Sequence, residues 1–165
     1  MPLAFSYPLM KRFTYWPQLF LGITFNYGLI LGWTSINSEI SLIPVIFYFG
    51  AIFWTLGYDT IYGFQDIKDD EIIGLKSTSI KFKKNPINFL LICYTILTII
   101  LISLGFMMSF NYLYFLFLTL PILHLIFFQI KQLNIKEPEK CFKIFKSNNF
   151  FGFLIYINIL IGKLI

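Results

Sequence analysis

Charge is what this chain has least of. Lysine, arginine, aspartate and glutamate make up only 13% of its 165 residues, and they are bunched. Phe13 to Ser38, Ile40 to Tyr58 and Asn85 to Ile130 hold no charged side chain at all. Hydrophobic residues are 58% of the chain and the mean hydropathy is +0.75, which excludes an ordinary soluble domain. Cysteine is scarce too. Cys93 in an apolar window and Cys141 in a polar stretch offer no disulfide framework. The single histidine, His124, lies within an apolar window and is read as a satisfied interhelical residue rather than a ligand. No signal peptide is expected, because the uncharged run after Lys11 and Arg12 is too long and lacks a small-residue cleavage site. Repeats and low-complexity linkers are absent as well. The high content of Phe, Ile, Tyr, Asn and Lys is consistent with an AT-rich genome, so aromatic abundance alone is not read as functional.

What remains is apolar length. A bilayer core takes about 20 residues per helix, so the window from Asn85 to Ile130 is long enough for two crossings. The expected architecture is an all-α integral membrane protein with five transmembrane helices. They run from about Trp16 to Thr34, Leu42 to Tyr58, Pro86 to Met107, Tyr112 to Ile130 and Asn149 to Ile165. Trp16 suits the membrane interface, and Pro17 and Pro86 suit first helical turns. Gly22, Gly28 and Gly32 are expected to allow close helix packing. The whole chain, 1–165, reads as one transmembrane domain with cytoplasmic loops at about 59–85 and 131–148. That arrangement puts 12 of the 13 basic residues on one side, leaving only Lys163 on the other. The net charge of +5 is accounted for by this bias and gives no argument for nucleic acid.

Between the second and third spans lies Tyr58 to Thr78, which holds five of the eight acidic residues. If it is helical, Asp59, Tyr62, Asp66 and Asp70 share one face, and Asp66 and Asp70 sit about 6 Å apart along the axis. Asp69 points about 100° away from Asp70. Carboxylates crowded this way repel unless a cation sits among them. Oxygen ligands without nearby His or Cys favour a hard ion such as Mg²⁺. The alternative is a solvated acidic loop. The one-face spacing and the following Lys76-Ser77-Thr78 favour a site for a metal and an anion.

These residues carry a resemblance. Asp59-Thr-Ile-Tyr-Gly-Phe-Gln-Asp66-Ile-Lys-Asp-Asp70, followed by Gly74-Leu-Lys76-Ser-Thr78, resembles the second Asp-rich motif of the membrane-embedded polyprenyltransferases, 4-hydroxybenzoate polyprenyltransferase above all. Tyr7-Pro8, Lys11-Arg12-Phe-Thr14, Pro17-Gln18 and Leu21-Gly22 are similar to the segment leading into that family's fifth helix. Pro138, Cys141-Phe, and Phe145-Lys-Ser-Asn148-Asn-Phe-Phe-Gly152 resemble its last cytoplasmic loop.

The resemblance implies a nine-helix bundle in which two Asp-rich motifs face each other. The first motif, Asn-Asp-x-x-Asp-x-x-x-Asp, does not occur here, so the chain is expected to be the C-terminal part of such an enzyme. The implied activity is transfer of a polyprenyl group from its diphosphate to the ring of 4-hydroxybenzoate in ubiquinone biosynthesis, with Mg²⁺ as cofactor. Asp66, Asp70 and Asp59 are the implied catalytic carboxylates, and Asp69 joins them as a metal ligand. Lys76 is implied to contact diphosphate. Lys11 and Arg12 are implied for the diphosphate or the aromatic carboxylate, with positive-inside anchoring as their alternative. Tyr62, and Tyr58 beside it, would line the cavity. The implied partners are polyprenyl diphosphate, 4-hydroxybenzoate, the bilayer and a separate N-terminal half. The implied location is a bacterial or mitochondrial inner membrane, with the site loops on the cytoplasmic or matrix side. Three alternatives stay open: a non-catalytic remnant or structural half, a relative acting on another aromatic acceptor, and an ion pathway, for which the spans offer no row of ionisable groups.

Overall fold

A chain this apolar must satisfy its own backbone polar groups, and a helix does so within one segment. The computed structural model describes residues 9–164, and among them every regular element is helical. Tyr7, Pro8 and Ile165, named above, lie outside the described residues. Five helices are long and apolar enough to cross a membrane: Pro17–Asn37, Leu42–Tyr62, Pro86–Met107, Tyr112–Ile130 and Pro138–Lys163. The five expected spans are all present.

The first crossing is two helices end to end, α1 (Pro17–Phe25) and α2 (Tyr27–Asn37). Asn26 sits at the joint. Its amide nitrogen donates to the Gly22 carbonyl at 2.8 Å, the Ala51 carbonyl at 3.2 Å and Thr55 Oγ1 at 2.8 Å. These bonds pin the first crossing to α3 (Leu42–Tyr62). Of the three glycines expected to allow close packing there, only Gly22 does so. A Cβ on it would lie 3.1 Å from the Ile52 carbonyl, whereas one on Gly28 or Gly32 would meet nothing within 4 Å. The closer glycine contact is on α3 itself, against α6 (Pro86–Met107), where a Cβ at Gly57 would fall 2.5 Å from the Tyr94 ring.

Between α3 and α6 lie two short helices, α4 (Ile67–Ile73) and α5 (Thr78–Lys81). Gly74 ends α4 in the left-handed region at φ 78°, the usual conformation of a glycine just past a helix end. The fourth crossing is α7 (Tyr112–Phe117), α8 (Thr119–His124) and a π-helical segment, Leu125–Ile130. Pro121 explains the break at Leu118, since it lacks the N–H that would bond back to Phe117. His124 is buried at 5% exposure and stacks on Phe128 at 5.3 Å, but neither ring nitrogen has a hydrogen-bond partner among the described residues. It is interhelical as expected, but not satisfied. The final crossing combines α9 (Pro138–Lys146) and α10 (Asn148–Leu164). Much of the expected loop 131–148 is therefore helix. Buried Cys141 and Ile144 hold α9 against the bundle.

Candidate functional site

The acidic stretch begins on a helix and does not stay on it. The second span runs to Tyr62 rather than stopping at Tyr58, which puts Asp59 within α3. A continued helix would bring the Phe64 N–H to the Thr60 carbonyl. That carbonyl instead accepts from Ser79 Oγ at 2.8 Å, and Phe64 N–H turns to Ile61 at 3.2 Å. Ser79 also lies where a Cβ on Gly63 would have to sit. The chain therefore turns at Gly63–Gln65 and restarts at Ile67, with Asp66 as the residue before α4. The single face expected to carry Asp59, Tyr62, Asp66 and Asp70 is split into two: Asp59 and Tyr62 on α3, Asp66 and Asp70 on the next turn.

Asp66 and Asp70 do share one helical turn, as the Asp70 N–H donates to the Asp66 carbonyl at 2.9 Å. Their surroundings differ. Asp66 is exposed and its side chain makes no capping bond. Asp70 is buried and paired, with Lys11 Nζ at 3.1 Å from Oδ2 and 3.4 Å from Oδ1. Lys76 joins this group through its backbone N–H, which donates to the Lys11 carbonyl at 2.7 Å. Its ammonium donates to the Phe13 carbonyl at 3.5 Å and lies 5.7 Å from the centre of the Tyr15 ring. Arg12 and Asp69 are exposed and form no ion pair among the described residues, while Glu71 pairs with Lys83 at 2.8 Å.

Of Lys76-Ser77-Thr78, only the lysine is free for an anion. Ser77 Oγ caps α5 by accepting from the Ile80 N–H at 3.2 Å. Thr78 Oγ lies 2.6 Å from Thr60 Oγ, and since Thr60 already donates to Leu56, Thr78 must be the donor. The Thr78 N–H donates to Gln18 Oε1 at 3.0 Å. This buried network of Gln18, Thr60, Thr78 and Ser79 fixes the acidic turn against α1 and α3. The sequence reading missed it as a functional support, because its members lie up to 61 residues apart. It missed an aromatic wall too. Phe145 of α9 lies 4.7 Å from the Tyr62 ring and 5.7 Å from the Tyr58 ring, and Trp54 Nε1 donates to Asn148 Oδ1 at 2.9 Å.

Among the described residues no three of His, Cys, Asp and Glu come together as a metal-binding group. The all-oxygen pair Asp66 and Asp70 fits a hard divalent ion in its chemistry. It fits as one wall of a site, with the remaining ligands supplied from elsewhere. Deeper in the bundle, apolar cavities of about 300 and 420 Å³ share Leu29, Phe47, Leu101 and Ile159. An open cleft of about 1040 Å³ under α9, lined by Lys136, Lys140 and Lys143 beside Glu137 and Glu139, includes none of the acidic turn.

Helices enclosing an apolar space, with carboxylates and lysines at one end, match the arrangement that the resemblance to membrane-embedded polyprenyltransferases implies. Residues 1–155 match the UbiA prenyltransferase family, and the chain belongs to it. It is 41% identical to the mitochondrial 4-hydroxybenzoate polyprenyltransferase of Bos taurus over 98% of its own length and 44% of that protein. It is also 40% identical to 4-hydroxybenzoate geranyltransferase 2 of Lithospermum erythrorhizon, covering 99% of this chain and 53% of the relative. The chain thus spans about half the length of these relatives, in keeping with the expected match to part of a longer enzyme. A solved UbiA homolog from Aeropyrum pernix, in its apo form, shares the fold at a TM-score of 0.75 and 22% identity, covering 96% of this chain and 60% of that one.

Proposed function

We propose that this chain supplies one acidic wall of a Mg²⁺-dependent 4-hydroxybenzoate polyprenyltransferase and acts as part of a complete enzyme. The observation that carries the reading is the convergence of Asp66, Asp70, Lys11 and Lys76 at one end of the apolar bundle. The substrate's tail belongs in the bilayer and its diphosphate at the interface, which is how apolar cavity and charged turn are disposed. A bound divalent ion would neutralise the diphosphate and ease its departure. Asp66 and Asp70 would hold that ion, with Asp59 and Asp69 in support. Lys76 and Arg12 would take diphosphate oxygens.

In the reaction the allylic C–O bond breaks and its electron pair leaves with the diphosphate. A ring carbon of 4-hydroxybenzoate forms the new C–C bond and then loses its proton. Tyr62, Tyr58 and Phe145 would line the path, keep water out and offer π faces to the developing positive charge. The site loops would lie on the cytoplasmic or matrix side of an inner membrane, with residues 1–165 acting as one transmembrane domain.

Ionising an allylic diphosphate calls for cations on more than one flank, so activity should need a partner bearing a second carboxylate motif. The test is expression of residues 1–165 in a strain lacking its own 4-hydroxybenzoate prenyltransferase, alone and with the N-terminal half of a homologue. Respiratory growth should return only with both pieces. Rescue by this chain alone would show that one acidic wall suffices.

A further inference from the structure

Asp70 differs from its acidic neighbours in being buried, at 7% exposure, whereas Asp66, Asp69 and Glu71 are exposed. A carboxylate withdrawn from water needs a cation or donors around it. Lys11 supplies the cation from 59 residues away, reaching both carboxylate oxygens. The same carboxylate is one of the two that the proposed function gives to the metal.

Those two roles compete, because Lys11 Nζ lies within 3.4 Å of both Asp70 oxygens. A divalent ion binds a carboxylate oxygen at about 2.1 Å for Mg²⁺. With Lys11 Nζ at 3.1 Å from Oδ2, ammonium and ion would lie within a few ångströms of each other and repel strongly. An arriving ion therefore takes at least one of these oxygens from Lys11 and, by repulsion, favours its departure. Its main chain need not move, because the Lys11 carbonyl is held by the Lys76 N–H at 2.7 Å. That bond keeps the Lys11 main chain beside that of the lysine assigned to the diphosphate, and the flexible Lys11 stem gives its ammonium reach.

We infer that Lys11 is a placeholder cation: it closes Asp70 while the site is empty and transfers to the diphosphate when metal and substrate bind together. The inference rests on the proposed function and deepens it, since it predicts how loading is coupled. Metal alone drives Lys11 toward water with nothing to receive it. Metal with diphosphate gives Lys11 a new anion, so each ligand strengthens the other, and by linkage the strengthening is mutual.

The test uses Mn²⁺ as the probe, titrated into residues 1–165 co-assembled with the N-terminal half of a homologue in lipid nanodiscs and followed by the loss of free-ion EPR signal, with and without inorganic diphosphate. In the native chain, diphosphate should tighten Mn²⁺ binding by about tenfold or more, a factor typical of coupled sites. Lys11→Met should bind Mn²⁺ about tenfold tighter without diphosphate and gain little more from it. Lys11→Arg, which keeps the pair, should show weak diphosphate-free binding like the native chain, so a poorly folded methionine variant does not leave the question open. Asp70→Asn should lose the tight binding in either background. Unchanged or weaker diphosphate-free Mn²⁺ binding in a folded Lys11→Met variant overturns the placeholder role while leaving the metal site standing. Absence of diphosphate-dependent Mn²⁺ binding in the native chain overturns both.

Discussion

Single residues in the acidic turn should not be equivalent, because in the proposed site Asp66 and Asp70 hold the ion and Asp69 only supports it. Asp66 and Asp70 lie one turn apart, and Asp66 and Asp69 are both exposed and unpaired among the described residues, so position on the helix is what separates them. In the complete enzyme, Asp66→Asn or Asp70→Asn should slow prenyl transfer on the order of 10²–10³-fold, the scale of losing one preorganised electrostatic contact. Asp69→Asn should cost less than about tenfold, since Asp69 points about 100° away from Asp70 on the helix. Equal loss at all three positions, measured as initial rates on one substrate pair, would sink this division. A different kind of loss is expected behind the site. Gln18→Leu would strand the buried Thr78 N–H, at a cost of about 1–3 kcal/mol. It should appear as a lowered thermal midpoint in detergent, and a midpoint unchanged from the native chain would mean that Gln18 is not the bolt proposed for it. The turn shared by Asp66 and Asp70 is legible in the sequence from spacing alone, while the face expected to join them to Asp59 and Tyr62 is not present. Gln18 is not legible, as nothing in a polar residue inside an apolar run announces which backbone N–H it will receive.

At the scale of elements, legibility divides along the same line. The five crossings follow from charge-free windows matched to the thickness of a bilayer, a constraint acting on every residue of a span at once. The break after Tyr62 depends on a single hydroxyl, Ser79 Oγ, taking the Thr60 carbonyl from a helix that would otherwise continue. No local pattern around residue 62 contains that information. Helix α9 escaped for a related reason: its lysines read as loop, and only burial of Cys141 and Ile144 shows which face it packs. Glycine packing separates in the same way. Gly57→Ala should destabilise the bundle by about 1–3 kcal/mol, because Tyr94 would have to move. Gly28→Ala, with open space around it, should be neutral or stabilising by up to about 1 kcal/mol. Thermal midpoints of the two variants side by side check the pair, and a Gly57→Ala variant as stable as Gly28→Ala would show that the α3–α6 contact is loose.

The charges of the whole molecule argue for one orientation in the membrane. Lys11 and Arg12, the turn from Asp59 to Lys84, and the segment from Lys131 to Lys146 stand at the ends of the five crossings that alternate with Glu39 and Lys163. Moving that basic majority across a membrane would work against the bias that retains lysine and arginine on the side of synthesis. The structure adds a second reason for the three segments to share a side. Lys11 contacts Asp70, and Phe145 contacts Tyr62, so the segments meet in space. An odd number of crossings then puts the last residues on the opposite face from the acidic turn. A reporter that works only on the cytoplasmic side should be active when inserted after Lys136 and silent when fused after Ile165. Activity at both positions would mean that α10, the longer part of the last crossing, does not span the bilayer. The apolar cavities it helps to line through Ile155 and Ile159 would then need another wall.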